Sequence, residues 1–306
     1  MRKGFRGMAL ALVGLALIVG GVAALGVFGR GDGTTALVES VRGERYAMAT
    51  TGLYAFNAER VVAEGIGWDL FTLLAVVPAM LVAAPLVGRG SLRARLFALG
   101  LLAYLFYQYL MYAMTWALGP LFLPFVAVFA ASLWTLVWVG ASVAREPLLA
   151  SRFDARFPRR GVAALAFVMG VVLTMMWLAR VAAGLRGALS DAMLLGQTTM
   201  VVQALDLGLI VPLCVFVGVT VLRRSAAGYV LASVLVVKAV AMASAICAMV
   251  LMAARVEGKL SAGGLAFFAA AALCALALGV RAFQATHDDG SVATRADETP
   301  PRVAHA

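Results

Sequence analysis

Two charged side chains, Asp206 and Lys238, interrupt long apolar stretches of this chain. A charged group inside a membrane costs roughly 3 kcal/mol on insertion scales, and such residues often line the paths of ions or substrates. Gln203 precedes Asp206 by about one helical turn and so lies on the same face. We expect Asp206 and Lys238 to interact and, together with Gln203, to bind a small molecule or an ion. The alternative is structural, with Asp206 near the headgroups and Lys238 in an ion pair or extended toward the interface.

A stripe of polar side chains runs along another apolar segment. Tyr104, Gln108 and Tyr112 are spaced four residues apart, and Tyr107 lies beside them. Hydroxyl and amide groups need hydrogen-bond partners that lipid does not supply, so this stripe is predicted to face the interior of a helical bundle. It forms either a hydrogen-bonded seam between helices or the aromatic wall of a ligand pocket.

Most signatures of catalysis and metal binding are absent from the sequence. Both histidines, His287 and His305, lie in the C-terminal tail, and no Walker A, GxSxG or HExxH motif occurs. The cysteines lie in apolar segments without the spacing of a zinc site: Cys214, Cys247 and Cys274. The sequence therefore predicts no metal and no cofactor, and it favours a protein without enzymatic activity.

The composition identifies lipid as the solvent of this chain. Of its 306 residues, 63% are hydrophobic and only 13% are charged, with a mean hydropathy of +0.97. A soluble fold cannot bury so much apolar surface, which excludes a soluble enzyme, a secreted disulfide scaffold and a disordered chain. The net charge of +10 does not indicate a nucleic-acid partner, because the basic residues lie at the ends of apolar segments rather than along one face.

Eight segments are long and apolar enough to cross a hydrocarbon core, which takes about 20 residues each. In chain order they form spans 1 to 8: 8–28, 68–88, 96–117, 121–143, 161–181, 201–222, 228–252 and 263–282. The predicted fold is an all-α polytopic transmembrane helical bundle. Residues 1–283 would form one integral membrane domain, and the polar residues 284–306 a disordered cytoplasmic tail.

The distribution of basic residues predicts the orientation. With the N-terminus in the cytoplasm, 16 lysine and arginine residues lie on the cytoplasmic side and eight on the other. This bias follows the positive-inside rule and predicts a multi-pass protein of a bacterial-type inner membrane, with both termini cytoplasmic.

Two connections are longer than usual. The outer loop 30–67 is predicted to end in a short amphipathic helix at 58–64 that lies on the membrane, and Asp69 is grouped with its acidic residues. The cytoplasmic loop 144–160 is basic and is expected to lie against anionic headgroups.

A faint internal repeat relates the two halves of the chain. At an offset of 134 residues, eight identities fall within residues 73–104, among them Pro78 with Pro212 and Ser91 with Ser225. Four spans in each half would form a 4+4 parallel repeat, as in some transporter folds. Two helical hairpins of similar topology could produce the same pattern.

Two classes of function agree with these features. The first is a transporter- or permease-like protein with a polar site between spans 3, 6 and 7, where a small molecule or an ion would bind. The alternative is a non-catalytic membrane module that binds a membrane-protein partner or acts as a sensory subunit. The bilayer is the surrounding partner in both.

Overall fold

The computed structural model describes residues 2–189 and 193–288 and contains eight helices long and apolar enough to span a membrane. This confirms the predicted all-α polytopic bundle. The helices keep the names spans 1 to 8: Gly4–Phe28, Glu59–Gly88, Leu92–Thr115, Phe122–Ala144, Arg159–Leu185, Val201–Leu222, Ala226–Glu257 and Ala262–Gln284. Residues 289–306, most of the predicted tail, lie outside the described residues.

The predicted surface helix at 58–64 is wrong, because span 2 begins at Glu59 and continues without a break to Gly88. Its first turns pack against span 7. The approach is closest at Gly67, where a Cβ atom would lie 2.6 Å from the carbonyl oxygen of Ala248. Arg60 also forms an ion pair with Glu257 at the end of span 7. Packing on a neighbouring helix therefore continues span 2 beyond its apolar segment.

Spans 2 and 6 each contain one π-helical turn, at Thr72–Val76 and Asp206–Ile210. Each turn is followed by a Val-Pro pair, with the prolines at 78 and 212. Proline cannot donate a backbone hydrogen bond, and a wider turn before it accommodates that missing donor. The two turns are separated by the same 134 residues as the sequence repeat.

Helix packing also follows a four-plus-four arrangement. Span 1 packs on the second half of span 2, and span 5 packs on the second half of span 6. Span 3 packs on span 4 in the same way as span 7 packs on span 8, and spans 3 and 7 contact each other. The side chains of Ser91 and Ser225 accept hydrogen bonds from backbone N–H groups at the starts of spans 3 and 7. These correspondences support the internal repeat.

Span 3 is the central helix of the bundle. In its most apolar window 78% of the residues are buried, against 39% or less in the other seven spans. The other spans expose large apolar side chains such as Leu10, Trp134 and Leu273, as expected for surfaces that face lipid. The polar groups in the middle of span 3, from Tyr104 to Tyr112, are therefore surrounded by protein.

The connections cover the two ends of the bundle. On one end, here called the hairpin side, strands β1 (Thr35–Glu39) and β2 (Arg45–Ala49) form an antiparallel hairpin. On the other end, Phe153 and Phe157 of the basic loop are buried against Tyr229 of span 7. These two aromatic side chains therefore anchor the loop to the bundle and do not face headgroups. The backbone N–H of Asp154 donates to the carbonyl of Ala285, so the beginning of the predicted tail contacts the same loop.

Candidate functional site

Asp206 lies at the start of the π-helical turn of span 6 and is only 7% exposed. The hydroxyl group of Tyr107 on span 3 donates a hydrogen bond of 2.5 Å to its Oδ1. The indole Nε1 of Trp177 on span 5 donates a hydrogen bond of 2.7 Å to its Oδ2. Three spans therefore meet at this carboxylate, which lies inside the bundle.

Lys238 also contacts Tyr107, at its ring. Its Nζ atom is 4.5 Å from the centre of the Tyr107 ring, a distance typical of a cation–π contact. Among the described residues Lys238 forms no ion pair within 4.0 Å, so the expected contact with Asp206 is indirect. Tyr107 therefore connects the two charged residues, with Asp206 at its hydroxyl group and Lys238 over its ring.

The structure thus brings together four of the seven predicted site residues around spans 3, 6 and 7. Tyr107 contacts both Asp206 and Lys238 directly. Gln203 is buried one turn before Asp206 on the same span. We call these four residues the Asp206 cluster: Tyr107, Gln203, Asp206 and Lys238.

The other three predicted residues, Tyr104, Gln108 and Tyr112, face span 2. Each is at most 1% exposed, so the polar stripe lies within the bundle as expected. The Thr72 hydroxyl group on span 2 lies 2.9 Å from the Tyr104 hydroxyl group and 2.8 Å from Oε1 of Gln108. It also lies 2.9 Å from the carbonyl oxygen of Trp68 on its own helix. The stripe therefore belongs to a second cluster, separate from the one around Asp206.

Asp69 is the centre of this second cluster and is completely buried. The hydroxyl group of Tyr54, from the segment that follows the hairpin, hydrogen-bonds to its Oδ2. The Tyr112 hydroxyl group and Nε2 of Gln108 lie 3.2 and 3.4 Å from its Oδ1. We call the four residues the Asp69 cluster: Tyr54, Asp69, Gln108 and Tyr112.

Asp69 was predicted as the second residue of span 2 and grouped with the acidic residues of the outer loop, whereas the helix begins ten residues before it. The internal repeat contains a signal that identifies the residue. At the 134-residue offset Asp69 aligns with Gln203, and Thr72 aligns with Asp206. Each half therefore has two polar residues one turn apart, directly before or at the start of the π-helical turn, and one of the two is a carboxylate.

Neighbouring residues enclose the Asp69 cluster. A Cβ atom at Gly26 of span 1 would lie 2.2 Å from both Asp69 Oδ2 and the Tyr54 hydroxyl oxygen, so only glycine fits there. Trp116 packs over the Tyr54 ring, with ring centres 4.2 Å apart. Phe125 of span 4 packs against Tyr112, with ring centres 5.0 Å apart. The cluster is thus sealed by packing on several sides.

An open cavity of about 770 Å³ lies on the hairpin side of the bundle. It is bordered by the hairpin, the start of span 2 and the end of span 7, and both acidic and basic side chains line it, including Glu59, Arg60 and Glu257. Within the two described ranges, no group of three or more potential metal ligands is close enough to hold an ion.

No family model, curated protein or solved structure matches this chain. The function is therefore inferred from the two clusters and from the fold that positions them.

Proposed function

We propose that this chain is a transporter- or permease-like membrane protein, and that a small molecule or an ion binds at the Asp206 cluster. The observation that carries this proposal is that Asp206 and Lys238 both contact Tyr107 inside the bundle and form no ion pair within 4.0 Å among the described residues. Two charges held apart inside a bundle are costly for stability, and such residues usually mark a substrate or ion path.

The geometry of Lys238 indicates the kind of ligand. An ammonium group has three hydrogen atoms to donate, yet in the described part of the chain its contact is with an aromatic face. A ligand with an anionic group would supply the acceptors that this ammonium group lacks. Asp206 and Tyr107 would then orient the rest of the ligand from the opposite side.

The π-helical turn at Asp206–Ile210 also favours a binding role. Such turns interrupt the regular hydrogen bonding of a helix and occur frequently at functional sites. Transporter folds often combine internal repeats with interrupted helices near the middle of the membrane. A π-helical turn at the corresponding place in both halves, each with a buried aspartate at its start or one turn before it, agrees with that design.

A ligand screen on the purified full-length protein tests the proposal. Thermal unfolding would be measured with three panels of small molecules, namely organic anions, organic cations and zwitterions. We expect stabilisation by molecules with an anionic group and its loss in Lys238→Met. Uptake of the stabilising molecule into proteoliposomes would then be measured. No stabilisation by any panel together with no uptake would contradict a transport function.

The proposed location is the inner membrane of a bacterial-type cell, with both termini in the cytoplasm and the hairpin side outside. The two-fold excess of basic residues on the side of the termini supports this orientation. The cavity beside the hairpin would then open to the exterior.

The alternative function is a non-catalytic module that binds a membrane-protein partner or senses a signal. The observation in its favour is the hairpin, in which Leu37 is 75% exposed and Val41 is 92% exposed. A partner-binding module would lose its partner on Leu37→Asp, and no small molecule would stabilise it. A transporter would retain ligand stabilisation in the same variant.

A further inference from the structure

Asp69 differs from Asp206 in the charges that surround it. Among the described residues no lysine, arginine or histidine forms an ion pair with Asp69, and its exposed fraction is zero. An isolated carboxylate without a cation is strongly disfavoured in such a place, and such a group usually becomes neutral. Asp206, in contrast, has a cation nearby, because the ammonium group of Lys238 lies over the ring of Tyr107, whose hydroxyl group donates to Asp206.

The hydrogen atoms available around Asp69 also indicate a neutral carboxyl group. The Tyr112 hydroxyl group has one hydrogen atom but lies 3.0 Å from the Gly65 carbonyl oxygen and 3.2 Å from Asp69 Oδ1. The carbonyl oxygen can only accept, and it is the nearer of the two. If Tyr112 donates to Gly65, the contact with Asp69 needs a hydrogen atom from Asp69 itself. Only the protonated carboxyl group has one.

We propose that Asp69 is a proton-binding site, neutral at neutral pH while the segment that contains Tyr54 is docked on the bundle. Release of the proton leaves the carboxylate anion, and the proton passes to water that enters when Tyr54 withdraws. The proton is then the ion that drives movement of the ligand held by the Asp206 cluster. This last step rests on the proposed transport function, whereas the protonated state of Asp69 does not.

The titratable groups that face Asp69 are tyrosines. Tyr54 comes from the segment after the hairpin, and Tyr104, Tyr109 and Tyr112 come from span 3. Span 1 contributes Gly26, which has no side chain to titrate. Phenol groups remain neutral at physiological pH, so the aspartate itself is the group of this cluster that would exchange a proton there.

Tyr54 connects the site to the hairpin side of the molecule. It is only 2% exposed although it belongs to a connection between two spans. Its hydroxyl group reaches Asp69 and its ring packs on Trp116, so the segment cannot leave the bundle without exposing the carboxyl group. Docking of this segment and retention of the proton are thereby coupled.

Infrared spectroscopy of the full-length protein in lipid tests the proposal. A protonated carboxyl group has a C=O stretching band that a carboxylate lacks. At neutral pH we expect the difference between the wild type and Asp69→Asn to contain the band of one carboxyl group. The Asp206→Asn variant is the matched control and should retain that band. If Asp69→Asn fails to fold, Tyr112→Phe should shift the frequency of the same band, because it removes a hydrogen-bond partner.

Three outcomes would overturn the proton site. The wild type could lack the band at neutral pH, the band could be lost in Asp206→Asn, or sodium chloride at constant pH could remove it, which would indicate a cation site. Ligand uptake is measured separately, so the two proposals can fail independently. If the band is present and no uptake occurs, the proton site stands and the transport function is refuted. If uptake occurs and the band is absent, the transport function stands and the proton site is refuted.

Discussion

Tyr107 and Tyr109 lie two residues apart on span 3, and their hydroxyl groups have different surroundings. The Tyr107 hydroxyl group donates to Asp206, whereas that of Tyr109 is buried without a partner in the described structure. We expect Tyr107→Phe to lower the free energy of unfolding by about 1–3 kcal/mol, because it leaves a buried carboxylate oxygen without its donor. Tyr109→Phe, the matched control, should be neutral or stabilising. Both are measured by denaturant unfolding in the same detergent, and equal losses would contradict the proposed hydrogen bond.

Glycine residues of span 1 provide a second comparison at the scale of single residues. A Cβ atom at Gly26 would overlap Asp69 and Tyr54, whereas one at Gly14 would meet no atom within 4 Å. We expect Gly26→Ala to lower the unfolding temperature markedly, because the Asp69 cluster must open to admit a methyl group. Gly14→Ala should leave it unchanged or raise it slightly, since alanine favours helices by about 0.5–1 kcal/mol. Equal unfolding temperatures for the two variants would show that the Asp69 cluster is not closely packed.

At the scale of elements, the π-helical turn of span 6 determines which way Asp206 faces. Deleting Gly208, which has open space around it, would allow a regular helix and rotate the preceding residues by about 100° relative to those that follow. Asp206 would then lose Tyr107 and Trp177. We expect Asp206→Asn to lower the free energy of unfolding of the chain that retains Gly208. In the variant that lacks Gly208, the same substitution should not lower it further. Additive losses of unfolding free energy would show that the turn does not position Asp206.

The buried ion pair between Arg95 and Glu146 connects span 3 to the basic loop. Arg95 is 1% exposed and its Nη2 lies 2.6 Å from Glu146. Glu146→Leu should cost about 3–5 kcal/mol, because it removes the carboxylate partner of a buried cation, and Arg95→Met in the same chain should recover part of that loss. The exposed pair of Glu39 and Arg45 is the control, and Glu39→Gln there should cost at most about 1 kcal/mol. Similar losses at the two pairs, measured by unfolding, would contradict the difference in burial.

The elements of this fold differ in how far the sequence predicts them. Apolar length is a local property, so the eight spans can be located from the sequence alone. The start of span 2 cannot, because its first turns contain three charged residues and are held by packing on span 7. For the same reason the sequence places Asp69 at the edge of span 2, among the acidic residues of the outer loop, rather than ten residues inside the helix. The way in which Asp206 and Lys238 are connected is not predicted for a similar reason, since the position of the Tyr107 ring that both contact depends on how spans 3, 6 and 7 pack.

At the scale of the whole molecule, the two clusters lie on different faces of one central helix. Span 3 contributes Tyr107 to the Asp206 cluster and Gln108 to the Asp69 cluster, and these residues are adjacent in sequence. A rotation or shift of span 3 would therefore change the hydrogen bonds of both carboxyl groups together. Through such a movement, binding of a proton at Asp69 would be linked to binding of a ligand at the Asp206 cluster.

The orientation of the molecule in the membrane provides the last prediction. An even number of spans would place both termini on one side, and the excess of basic residues predicted for that side favours the cytoplasm. The hairpin follows one span and the basic loop follows four. The two connections should therefore lie on opposite sides of the membrane. A phosphatase reporter fused after residue 50 should be active, because that enzyme requires the exterior, and one fused after residue 155 should be inactive. A fluorescent protein that folds only in the cytoplasm should give the opposite result at the two positions, and activity of one reporter at both would contradict the proposed topology.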